Sequence, residues 1–380
     1  MKIFLSFFQS KIQHPIPAYS FWEYYIKNGI TEAGCHYIEC NDVDWAQGLV
    51  QQSDQEFHDW KSFTWSRVLK QVKEQGADLF LSYLYPQQID ESAIRELKKM
   101  GVFCVNFFCD HVRLYRSVPK AFHVFDLNWV PEYKAIKFYQ KARLNYLNLP
   151  MPMWVEPKYR SFNKNENNQV SFIGSKDIQR HLLFDTLIKH NPERIVNIYG
   201  SDWLNNDRLL SIPATSARQK ILNQLAFIRQ NGFYAFANKI RSRSYKAPSA
   251  SALNSFFKGK PDFENYIKIT KESNITIGVN RYPSFNYPLQ KPNTYSRLRD
   301  IEAPMLGACY LTEWTEGIDE LYETGKEILT YTSAEELDEQ CSRLLADEKM
   351  RMQLREAGQK RALSDHSISA SIQKLIEYLT

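Results

Sequence analysis

The sequence predicts an α/β protein made of two Rossmann-like domains in tandem, and three observations predict it. Short apolar runs alternate with helical stretches as far as Leu149. Pro150, Pro152, Pro157 and the polar stretch 163–169 then punctuate the chain. The same strand–helix rhythm starts again at Gln169. Strands alternating with helices argue for parallel sheets covered on both faces. A chain of 380 residues also exceeds one ordinary core. The expected division is 1–155 and 156–364, with 365–380 as a final helix.

The elements follow in order. KIFLSFF is apolar enough for a strand buried on both faces. It reads as a strand and not a leader, because no small-residue cleavage site follows it. A helix over 19–27 stops near Gly29, and 36–39 is the second strand. A helix over 65–74 ends at Gly76 and precedes a strand over 78–82. Asp90 caps a helix over 91–100, which Gly101 stops. Strands over 102–107 and 124–130, a helix over 133–142 and a strand over 146–149 complete the first domain. In the second, VSFIG is a strand running into a helix over 178–190, and 194–199 is a strand ending at Gly200. A helix over 263–271, a strand over 275–279, a helix over 299–307 and a strand over 309–312 follow. Helices over 335–345, 349–361 and 367–379 close the chain.

Composition removes several classes. Hydrophobic residues at 43% and charged residues at 24% describe a folded chain, and no run is long enough to span a bilayer. The six cysteines form no C-x-x-C pair and no Cys/His cluster with zinc spacing. Buried free thiols in a cytoplasmic protein are expected, with no metal and no cofactor. Neither G-x-G-x-x-G nor a Walker A sequence is present, which weakens dehydrogenase and NTPase readings.

Net charge is +5, but Leu204 to Lys260 holds ten Lys/Arg and one acid, Asp207. Within that basic insert, Ile221, Leu222, Leu225 and Ile228 mark one helical face among Arg218, Lys220 and Arg229, with Arg241, Arg243 and Lys246 beyond. A solvated helical hairpin, a grip on an anionic polysaccharide and peripheral contact with an anionic membrane all fit this pattern. Nucleic acid does not, since no recognised binding motif accompanies the charge.

Two segments carry candidate chemistry. VSFIGSKDIQR places Gly174 and Ser175 between a strand and a helix, with Lys176 and Arg180 near the helix start. Glycine allows close approach there, and the helix N-terminus offers N–H groups to an anion. An ordinary strand–turn–helix corner reads the same way. In GVNRYPSFNYPLQKPNTYSRLRDIEAPMLGACYLTE, a strand ends near Asn280, and Arg297 and Arg299 stand at the start of a helix. Two guanidiniums at a helix N-terminus suit a diphosphate. Glu302 lies one turn beyond Arg299, placed for two vicinal ribose hydroxyls or for a plain Arg–Glu ladder.

The run from Tyr295 to Tyr331 resembles the CgeB-like, spore-maturation-protein type of glycosyltransferase, and more distantly the group-1 glycosyltransferases. The shared element here is Arg299, Glu302, Ala303, Gly307, Ala308, Leu311, Thr312 and Glu313, then Gly317-Ile318, Glu320 to Glu323 and Gly325-Lys326-Glu327. FIGS at 172–175, IYGSDW at 198–203 and NFFCDH at 106–111 also match. The resemblance implies a GT-B fold: two Rossmann-like domains facing across a cleft, the acceptor on the first and a nucleoside-diphosphate sugar on the second. It implies a metal-independent hexosyl transfer to a cell-surface glycan or lipid-linked precursor, with the last helix crossing back to the first domain. Glu302 falls at the second glutamate of the group-1 E-x7-E pair, and the first position is Thr294. The donor set is therefore Gly174, Ser175, Arg180, Gly200, Asn280, Arg297, Arg299 and Glu302. On the acceptor side Asp110 and His111 follow a strand, His14 follows the first strand, and each is a candidate general base. A non-catalytic glycan-binding or coat-assembly protein, and a nucleotide-sugar epimerase, remain open beside the transferase.

Overall fold

A computed structural model describes residues 1–7, 9–10, 12, 14, 19–162, 164–203, 221, 224–225, 236–237, 240, 253–283 and 292–379. Most of the basic insert lies outside them. The chain divides into two compact units, Met1–Trp154 with Ser364–Thr380, and Val155–Leu363.

The first unit is a six-stranded sheet in the order β2-β1-β3-β4-β5-β6, parallel throughout. The strands are β1 (Lys2–Ser6), β2 (His36–Ile38), β3 (Leu79–Ser82), β4 (Phe103–Phe107), β5 (Leu127–Trp129) and β6 (Tyr146–Leu147). β3 is buried along its whole length and β1 along most of it, as their continuous apolar runs require. The helices are α1 (Tyr19–Glu32), α2 (Asp54–Gln75), α3 (Glu91–Lys99), α4 (His111–Leu114) and α5 (Ile136–Ala142). α2 is much longer than its apolar spacing indicated, because Ser53 and Glu56 close a capping box that starts the helix at Asp54, upstream of the expected start at Trp65. The strand expected over 124–130 is shorter, because Lys120–Val124 forms a 3-10 turn before β5.

The second unit is a five-stranded parallel sheet in the order β11-β10-β9-β7-β8. Its strands are β7 (Val170–Ile173), β8 (Asn197–Tyr199), β9 (Ile275–Gly278), β10 (Tyr310–Glu313) and β11 (Leu329–Tyr331). The helices that follow β7 in the chain are α6 (Ile178–His190), α7 (Phe263–Glu272), α8 (Leu298–Met305), α9 (Ile318–Leu321), α10 (Ala334–Ala346) and α11 (Glu348–Asp365), and beyond the second unit α12 (Ile368–Leu379). Phe172, Phe184, Ile198, Ile277, Leu311 and Leu337 centre its core.

The last helix, α12, belongs to the first unit and packs on α1. Gly29 makes that packing possible, since a Cβ there would collide with the Ile368 side chain. Gln373 donates to the Ala33 carbonyl at 3.0 Å, and the Ile368 N–H donates to Met153 at 3.0 Å.

Candidate functional site

In the second unit the chain runs from β7 outward to β8, then returns to β9 on the other side of β7. Strand order therefore reverses between β7 and β9, the place where open α/β sheets bind ligands at their carboxyl ends. Gly174 follows β7 there, and Asn280 follows β9.

The corners after β7 and β8 are zipped together. The Gly174 N–H donates to the Tyr199 carbonyl at 2.8 Å, and the Lys176 N–H to Ser201 at 3.0 Å. The Trp203 indole donates to the Gly174 carbonyl at 2.7 Å, and the Ser201 hydroxyl to Ser175 Oγ at 3.0 Å. Gly200 has φ 140°, and a Cβ on it would collide with the Gly174 carbonyl. Gly200 thus serves the approach of one strand end to the other, while Ser175 stays exposed.

Asp177 caps α6 by accepting from the Gln179 and Arg180 N–H groups at 2.8 and 3.2 Å. Arg180 folds back over this corner. Its Nη1 donates to the Ser175 carbonyl at 2.7 Å, and its Nε lies 3.3 Å from Asp177. Burial, and then repulsion from Arg297, push the Arg180 guanidinium down to about 10, against the pull of Asp177.

Arg297 stands at the start of α8, and its N–H donates to Asp300 at 3.0 Å. Asp300 is fully buried, and burial pushes its carboxyl up. The Tyr310 and Thr312 hydroxyls donate to it at 2.8 and 2.9 Å, which supplies the partners a buried carboxylate requires. The Tyr322 hydroxyl donates to the Asp300 carbonyl at 2.7 Å. These bonds bolt the start of α8 to β10. The Arg297 guanidinium lies 4.7 Å over the Tyr295 ring, which stacks on Tyr282 at 4.3 Å, and its Nη2 donates to the Arg281 carbonyl at 2.6 Å. Arg281 grips Glu313 through Nε at 2.9 Å and Nη2 at 2.5 Å. Glu313 also accepts the N–H groups of Asn280 and Arg281 at 3.1 and 3.0 Å.

Arg299 reaches the other way. Its guanidinium lies 4.5 Å over the Tyr266 ring, with Nη2 donating to the Ile173 carbonyl at 3.3 Å and Nη1 to Thr270 Oγ1 at 3.4 Å. Glu302 lies 3.7 Å from Arg299 and accepts the Tyr266 hydroxyl. Asn280 is buried, and its amide donates to Thr312 and to the Glu313 carbonyl at 3.2 and 2.8 Å, so it holds β9 to β10. Thr294 pairs with Arg281 as an antiparallel bridge.

The strand ends of the first unit are mostly uncharged. Tyr83, Phe107, Phe108 and Trp129 form an aromatic bed. Asp110 is half-buried at the start of α4 and accepts the Tyr85 hydroxyl at 2.7 Å, with Arg113 at 3.8 Å. His111, expected beside it as a base, is fully buried against Phe138 and Tyr139, both with ring centroids at 5.3 Å. Neither ring nitrogen has a hydrogen-bond partner, and burial pushes the imidazole down to about 4. An enclosed neutral ring cannot collect a proton from a substrate, so this placement speaks against His111 as a base. His14 Nε2 lies 2.7 Å from Asp44 Oδ2, which also accepts the Ser10 hydroxyl at 2.9 Å.

The structure thus gathers Gly174, Arg180, Arg297, Arg299 and Glu302 on one rim and gives Gly200 and Asn280 supporting places. It adds Asp177, Asp300, Tyr266 and Arg281, none of which the residue pattern singled out, and it pairs Arg281 with Glu313, a residue of the shared element. Asp300 had one readable signal, an acid three residues after the residue that starts a helix. Among the described residues no three His, Cys, Asp or Glu side chains gather as metal ligands, and no helix is long and apolar enough to cross a membrane.

The profile of the glycosyl transferase-like family matches residues 179–377, and the chain belongs to that family. Solved structures agree on the fold. Sucrose-phosphate synthase from Thermosynechococcus elongatus is 13% identical with a TM-score of 0.56, over 100% of this chain and 98% of that one. A glycosyltransferase from Rickettsia africae is 10% identical with a TM-score of 0.58, over 99% and 97%. Anabaena HepE, solved in complex with UDP, is 12% identical with a TM-score of 0.53, over 100% and 99%. No curated protein matches the sequence. Family and fold together define a GT-B glycosyltransferase.

Proposed function

We propose that this protein transfers a hexosyl group from a nucleoside-diphosphate sugar to a cell-surface glycan or its lipid-linked precursor, without a metal, in the manner of the CgeB-like enzymes. The supporting observation is the rim at the β7–β9 switch point. Arg180, Arg297 and Arg299 all belong to this rim, and the Arg180 guanidinium is lowered first by burial, then by Arg297 and least by Arg299. Crowded, desolvated cations gain from an anion that neutralises them. A diphosphate supplies that anion, and the start of α8 adds backbone N–H groups and its dipole.

In the reaction the bond between the anomeric carbon and the diphosphate oxygen breaks, and the nucleoside diphosphate leaves with the electron pair. The acceptor oxygen bonds to the anomeric carbon and gives its proton to a base. Guanidiniums beside the leaving oxygen stabilise the charge as it develops. That is chemistry a divalent metal otherwise supplies. Asp110 and the Asp44-paired His14 are the bases available on the first unit. Glu302 takes the ribose hydroxyls, and the corner at Gly174-Ser175 faces the donor from the other side.

A cytoplasmic enzyme peripheral to an anionic membrane fits the composition of the basic insert. Ile221, Leu225 and Ile240 in that segment are 61%, 57% and 49% exposed. Flotation with anionic vesicles at low salt tests this contact, and failure to float removes it.

The primary test is thermal stabilisation by UDP-, GDP-, dTDP-, ADP- and CMP-linked sugars. A ligand that binds only the folded state raises the Tm. One nucleotide family should shift the Tm with and without EDTA, and the shift should vanish in Arg299→Ala. Absence of any shift at millimolar concentration would overturn the donor assignment.

A further inference from the structure

We infer that Tyr266 is a positioning residue, which stacks under Arg299 and fixes the Glu302 carboxylate for the ribose hydroxyls of the donor. The inference rests on the donor reading above. Tyr266 lies near the start of α7, outside the segment whose motif pointed to the site. It touches two of the donor groups at once. Its ring lies under the Arg299 guanidinium at 4.5 Å, and its hydroxyl donates to Glu302 Oε2.

These contacts act on different properties. Stacking holds the Arg299 fork in one plane while Nη1 and Nη2 reach Thr270 and the Ile173 carbonyl. The phenol bond selects the rotamer of Glu302, which is only 8% exposed. A carboxylate offers about four lone-pair sites. The phenol uses one of them, and enough remain for both hydroxyls of a vicinal diol. An unanchored glutamate must instead give up side-chain freedom when the ribose arrives. A site built to bond two hydroxyls also rejects an analogue lacking one, because a buried acceptor is then left unsatisfied.

The test pairs UDP, GDP and ADP each with its 2′-deoxy counterpart and measures Kd by calorimetry. Tyr266→Phe keeps the ring beneath Arg299 and removes only the hydroxyl. The expected result is a ribo-over-deoxyribo preference of about tenfold or more in the parent protein, falling to near unity in Tyr266→Phe, with affinity for the deoxy form and the Tm almost unchanged. Glu302→Gln is the reference and should lose the preference as well. A preference intact in Tyr266→Phe but lost in Glu302→Gln overturns the role of Tyr266 and leaves the donor site standing. A preference intact in both variants removes Glu302 from the ribose. No binding of any nucleotide fells the donor reading, and this inference with it.

Discussion

The two units share a parallel sheet and a reversal of strand order, yet their strand ends carry opposite chemistry. At the β7–β9 end, guanidiniums are laced to carboxylates: Arg180 to Asp177, Arg281 to Glu313 and Arg299 to Glu302. At the ends of β3 and β4, aromatic rings and hydroxyls dominate, with Asp110 held by Tyr85 and His111 kept neutral. The sheet supplies a place, and the loop residues supply the charge. One end carries guanidinium–carboxylate pairs, and the other carries aromatic rings with Asp110 bonded to a phenol and Glu132 buried on backbone N–H groups.

The harshest way to break this contrast is at Glu313. Its removal leaves the Arg281 guanidinium, 14% exposed, without its partner. Glu313→Ala should cost about 3–5 kcal/mol in urea unfolding. A loss below about 1 kcal/mol would show that the pair does not hold the charged rim together.

The neutral rim has its own test at His111. Its imidazole is held near 4 in the folded state against 6.5 ordinarily, so the unfolded chain binds the extra proton between those values. Stability therefore falls as pH drops from about 6.5 to about 4, by up to about 3 kcal/mol. His111→Phe should flatten that slope while leaving stability above pH 7 nearly unchanged. An identical slope in the variant would mean the ring is not a buried neutral base.

Smaller effects sharpen the comparison. Arg297→Ala should weaken nucleotide binding about ten- to a hundredfold by calorimetry, because one charge-assisted contact is lost. A change of less than threefold would take Arg297 out of the anion site. Smallest of all, Ser53→Ala removes the α2 cap and should cost about 1 kcal/mol in thermal unfolding while sparing nucleotide affinity. A loss of nucleotide affinity in that variant would blur the line between the units.

Much of the fold was legible because its signals are local. The runs around Phe4, Leu81, Val105 and Ile277 are continuous and apolar, as buried parallel strands require, and Asp90 and Gly101 bracket α3. The short β11 was missed, because Leu329–Tyr331 is too brief to show a period. Arg297, Arg299 and Glu302 were legible as a group because one helix start carries all three. Asp300, Tyr266 and the Arg281–Glu313 pair were not, since their partners lie 10, 36 and 32 residues away.

What the sequence determined by itself was the alternation, its restart at Gln169 and the cationic helix start, all properties of neighbouring residues. Tertiary structure alone decided which polar groups are sealed and which are offered. His111 and Asp110 are adjacent in the chain, yet one is fully buried among rings and the other is half-exposed with a hydroxyl partner. The reason is physical. The state of an ionisable group depends on desolvation and on charges within a few ångströms, and only the packed chain sets those distances.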